Sequence, residues 1–103
     1  MEKLVRDKIP AIAIAGGAPF PYRIAAAVEH EDLLRQKLFE ETNEFFDSGD
    51  MMELADMLEV MYALAAQKGV SPAGLELLRQ QKRATRGGFD DYIVWTNAPE
   101  SVA

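Results

Sequence analysis

Residues 34–69 read LRQKLFEETNEFFDSGDMMELADMLEVMYALAAQKG, and the spacing of their apolar side chains decides the fold. At about 100° per residue, Leu34, Leu38 and Phe45 fall close together on a helical wheel, so the pattern predicts a helix from about Val28 to Asp47. Ser48-Gly49-Asp50 supplies turn residues where that pattern stops. A second helix is expected from about Met51 to Lys68, with Leu54, Leu58, Met61 and Ala65 on one face and Gly69 as its stop. So short a connection makes the pair an antiparallel hairpin.

On the C-terminal side, Ser71-Pro72 reads as an N-cap followed by proline at the first helical position, and this helix should run to about Arg86, where Gly87-Gly88 breaks it. On the N-terminal side, Asp7 is expected to cap a short helix through Ile9 to Ala15, with Pro10 in the first turn and Gly16-Gly17 as the stop. Pro19 and Pro21 force an extended passage. Tyr22 to Ile24 and Tyr92 to Thr96 read as short strands that could pair, and the residues from Asn97 as a loose tail. The expected fold is therefore all-α, a helical hairpin or bundle of about four helices over residues 1–103, with a short two-stranded β element beside it.

Composition narrows the function. A chain of 103 residues makes one domain and buries a comparatively small fraction of its surface, so help from further subunits is expected. With 49% hydrophobic and 27% charged residues it should fold rather than stay disordered. The net charge of −6 argues against nucleic-acid polymers, whose phosphates are neutralised by Lys and Arg. The absence of cysteine excludes disulfides and thiolate metal sites, leaving oxygen ligands or the single His30. Oxygen ligands point to magnesium, manganese or calcium. The apolar run Ile9 to Ala15 is too short to span a bilayer and follows a mixed-charge segment, so a cytoplasmic protein without a membrane partner is expected.

The chemistry lies in the hairpin. Glu41 falls inside the stripe of Leu34, Leu38 and Phe45, where an unpaired carboxylate is expensive; Lys37, one turn earlier, supplies only one cation. Glu44 follows Glu41 by three positions and Asp56 follows Glu53 by three, so each helix offers two neighbouring carboxylates. The hairpin can bring both pairs together at its closed end, making Glu41, Glu44, Glu53 and Asp56 candidate ligands of magnesium, with manganese as a substitute. Magnesium keeps waters and binds substrate phosphates, so the site suggests phosphate chemistry. Phe39 and Phe46 lie nearly opposite the Leu34 stripe and suggest a second buried face, either against the N-terminal helix or between subunits.

Glu40-Glu41-Thr42-Asn43-Glu44 followed by Glu53-Leu54-Ala55-Asp56 resembles the paired carboxylate motif of MazG-type all-alpha nucleotide pyrophosphohydrolases. The opening Lys3-Leu4-Val5-Arg6-Asp7-Lys8-Ile9-Pro10 and the late Lys82 with Arg86-Gly87-Gly88-Phe89 are similar to small members related to phosphoribosyl-ATP pyrophosphohydrolase, though the resemblance is too partial to carry over that enzyme's substrate. It implies cleavage of a nucleoside triphosphate between the alpha and beta phosphates, by a homodimer or homotetramer of helical bundles. It also implies that Glu41, Glu44, Glu53 and Asp56 hold the metal and that Glu40 orients or deprotonates the attacking water. Lys82 and Arg86 share a helical face suited to phosphate oxygens, with Lys37, Arg6 and Lys8 as further candidates. Arg86 equally suits the negative end of its own helix.

Two other readings compete. A non-catalytic oligomerisation or nucleotide- and metal-binding module would use the same apolar faces and acidic motif without turnover. A structural calcium site would stabilise the fold, but the chain lacks a twelve-residue calcium loop.

Overall fold

In the computed structural model of the chain, which describes residues 2–100, a short helix α1 (Ile9–Ala15) precedes a 3-10 turn (Ala27–Glu29) that leads into α2 (His30–Ser48). Helices α3 (Met51–Gln67) and α4 (Pro72–Arg86) complete an all-helical fold. The reversal between α2 and α3 is local in origin. Gly49 adopts the left-handed conformation (φ 68°), and its N–H returns to the Phe45 carbonyl at 2.8 Å. Asp50 then starts α3, its Oδ1 accepting the Met52 N–H at 3.0 Å. Ser71 does the same for α4, Oγ accepting from the Gly74 N–H at 3.0 Å ahead of Pro72.

Several sequence expectations need correction. Lys8, not Asp7, takes the N-cap position of α1 and makes no side-chain cap; Asp7 stands one residue too early, because the Ile9 N–H already turns back to the Arg6 carbonyl at 3.1 Å. No strand forms at Tyr22 to Ile24, at Tyr92 to Thr96 or elsewhere among the described residues. A two-stranded ribbon without a further strand or packing surface is marginal in water. Tyr92 also enters the left-handed region at φ 50°, which a strand residue does not adopt.

The face of α3 turned to α2 also differs from the expected one. Val60 is buried, and Glu53, Asp56 and Met57 are half-buried, whereas Leu54, Leu58 and Met61 are exposed. α3 is apolar nearly all round, so a single partner helix satisfies only one of its faces. α4 packs against α3, while α1 touches no other helix. Phe39 and Phe46 are 73% and 74% exposed, so α1 does not cover them.

Little core results. Val60 is the one buried apolar side chain among the described residues. The radius of gyration is 17.5 Å, against about 13 Å for a compact chain of this length. The α2–α3 hairpin is the scaffold on which everything else hangs, including the carboxylates at its closed end.

Candidate metal centre

Helix α2 presents Glu40, Glu41 and Glu44, and α3 presents Glu53 and Asp56. The two-residue reversal sets these turns side by side. One carboxylate oxygen from each of Glu41, Glu53 and Asp56 lies within 4.8 Å of the other two. Glu41 is only 6% exposed, as its place in the apolar stripe requires. Lys37 Nζ reaches Glu41 Oε1 at 3.3 Å, but Glu41 Oε2 and Glu53 Oε2 are shielded and have no hydrogen-bond partner. Shielded, unpartnered carboxylate oxygens are expensive, and they need either a proton or a cation.

Glu53 shows the strain of this arrangement. Burial, reinforced by the neighbouring carboxylates of Glu41 and Glu44, pushes its carboxyl up to about 7. The donor set is all oxygen, and Glu41 and Glu53 each keep one oxygen without a hydrogen-bond partner, which fits a hard divalent cation such as magnesium or manganese. Glu44 is exposed and outside the tight triad, although close enough to raise Glu53.

The other predicted residues divide into two groups. Glu40 sits between two ammonium groups, Lys3 Nζ at 2.8 Å from Oε1 and Lys37 Nζ at 3.0 Å from Oε2. Lys3 first, and Lys37 second, hold its carboxyl below the usual range. Arg6 Nη2 donates to Asp56 Oδ1 at 2.6 Å, so Arg6 and Lys37 both reach the site. Lys8, Lys82 and Arg86 are exposed and pair with none of these carboxylates. Arg83, on the same helix as Lys82 and Arg86, turns instead to Asp90 at 2.8 Å.

Lys3 is the contact that residue-by-residue reasoning missed. The available signal was electrostatic rather than periodic: a basic segment preceding a hairpin whose closed end is acidic.

No family model matches the chain, and no curated protein or solved structure matches it either. Among the described residues no helix is long and apolar enough to cross a membrane.

A pH dependence follows from Glu53. Its folded pKa, about 7, exceeds the ordinary 4.5, so between these values the folded chain holds a proton that the unfolded chain has lost. In chelator this group's contribution is therefore lost as pH rises from 4.5 towards 7, and no further above that. Thermal melting from pH 5 to pH 8 should show a decline of a few degrees, absent in Glu53→Gln. Added magnesium should raise the midpoint more at pH 8 than at pH 5, because only the deprotonated carboxylate serves as a ligand. A wild-type slope that persists in Glu53→Gln would assign the effect elsewhere.

Proposed function

We propose that the chain is a magnesium-dependent nucleoside triphosphate pyrophosphohydrolase of the MazG-like kind, which yields a nucleoside monophosphate and pyrophosphate. Under this reading it is a cytoplasmic house-cleaning enzyme that works as a homodimer or homotetramer. The observation that carries the reading is Glu41: a buried carboxylate with one oxygen unpartnered, within reach of Glu53 and Asp56. A carboxylate held there at such cost is hard to explain as surface decoration. The exposed apolar faces of α2 and α3 support assembly with further copies.

Glu41, Glu53 and Asp56 would hold the ion, with Glu44 the next carboxylate at hand. When bound, magnesium neutralises charge on the triphosphate and sharpens the electrophilicity of the phosphorus. The remaining work belongs to side chains. Glu40, kept anionic by Lys3 and Lys37, is suited to orient a water by accepting its hydrogen bond, and would gain basicity to take its proton once Lys3 withdraws. Lys37 spans Glu40 and Glu41 and so fixes the separation between the water-orienting group and the metal ligand. Arg6 adds a cation for phosphate oxygens, and Lys82, Arg86 and Lys8 would contribute only if assembly or substrate brought them in.

The test is pyrophosphate release from a panel of ribo- and deoxyribonucleoside triphosphates, with magnesium, with manganese and with chelator. Release that requires the metal, accompanied by one equivalent of monophosphate, is expected. If no nucleotide releases pyrophosphate under any condition, the enzyme reading fails and the chain is better described as a binding or oligomerisation module.

A further inference from the structure

The segment before α1 forms a strap without regular secondary structure beside the hairpin, and two of its three cations, Lys3 and Arg6, end on the proposed site. Lys3 reaches Glu40 at 2.8 Å and Arg6 reaches Asp56 at 2.6 Å. The strap is tied down independently of these contacts. Leu4 and Val5 are half-buried, and Glu2 is gripped by Arg23, which donates to its two oxygens at 3.0 and 3.1 Å. Arg23 in turn is fixed by Glu29 in the 3-10 turn, at 2.8 and 2.9 Å. Seated by the half-buried Leu4 and Val5, the strap delivers a positive charge to the water-orienting residue and another to a metal ligand.

We propose that residues 2–8 form a cationic plug on the carboxylate site, in which Arg6 and a divalent cation compete for Asp56. This rests on the metal-site reading above. The physical ground is that both bring positive charge to one carboxylate, so each weakens the hold of the other, and linkage makes the weakening reciprocal. Arg6 lies in a solvated position, its side chain 56% exposed, so its ion pair adds little to folding and can open at small cost. Freed from Asp56, the guanidinium stands at the edge of the site with its fork of donors unpaired, ready for an oxygen of the incoming triphosphate. The strap thus screens like-charged carboxylates from one another until ion and substrate arrive together.

The experiment is manganese titration by calorimetry on the full chain, for wild type, Arg6→Gln, Glu41→Gln and Arg35→Gln. Arg35 pairs with Glu31 at 3.4 Å, so its variant makes the same change in net charge without touching the strap. Arg6→Gln should bind manganese about fivefold more tightly, whereas Arg35→Gln should stay within about twofold of wild type. Unchanged or weaker binding in Arg6→Gln would overturn the plug. Wild-type binding that is lost in Glu41→Gln keeps the metal site standing in that event; absence of manganese binding in wild type overturns both.

Discussion

Glu41→Gln is expected to lower metal-dependent pyrophosphate release by about a thousandfold or more, and to weaken manganese binding by at least about a hundredfold. Burial sets the size of the effect. Glu41 is the most enclosed carboxylate of the site: its Oε1 is shared with Lys37, its Oε2 has no hydrogen-bond partner, and one of its oxygens lies within 4.8 Å of oxygens of Glu53 and Asp56. An amide of the same shape keeps one acceptor for Lys37 but removes the negative charge that a hard cation requires. The fold should survive, because the substitution relieves repulsion toward Glu53; Lys37 still has Glu40 at 3.0 Å. In chelator the variant should melt no lower than wild type, and its helical circular dichroism should be unchanged. Metal affinity close to wild type in a folded Glu41→Gln protein would remove the metal centre from this part of the hairpin.

The consequence for Glu53 gives the same variant a second readout. Burial and the carboxylates of Glu41 and Glu44 together raise Glu53, so neutralising Glu41 removes one of these contributions and should bring Glu53 down towards its ordinary value. The decline in stability between pH 5 and pH 8 should then be shallower in Glu41→Gln than in wild type. Loss of activity without this change would point to disrupted folding rather than to a lost ligand.

The boundaries between α2, α3 and α4 were legible because they carry chemical signals. Gly49, Asp50, Ser71 and Pro72 mark stops and starts by their own backbone and hydroxyl or carboxylate chemistry, and the structure uses them as caps. Glu41 was legible too, since a charge inside an apolar stripe stands out on a wheel. The face of α3 was not, because a helix apolar nearly all round has no single stripe to locate, and Leu54, Leu58 and Met61 turned outward. Tyr92 to Thr96 has the composition of a strand but no neighbour to pair with, and composition alone cannot supply one. The Lys3–Glu40 contact joins residues 37 positions apart, beyond the reach of any local pattern.

Those outward faces bear on the last expected result, for the double substitution Phe39→Asp with Phe46→Asp. Both rings are about three-quarters exposed in the single chain, so for an isolated monomer new carboxylates there should be nearly neutral in stability. In a symmetric assembly that buries them, each substitution counts once per subunit, and the loss of apolar burial together with buried charge should weaken association more than about a thousandfold. Sedimentation of wild type should show a dimer or tetramer, and the variant a monomer at the same concentration. Cooperative melting should weaken as well, because Val60 is the one buried apolar side chain among the described residues and the subunit interface must then provide most of the core. A wild-type chain that sediments as a monomer and melts cooperatively would overturn this, and α2 and α3 would have to close their apolar faces by folding back on themselves.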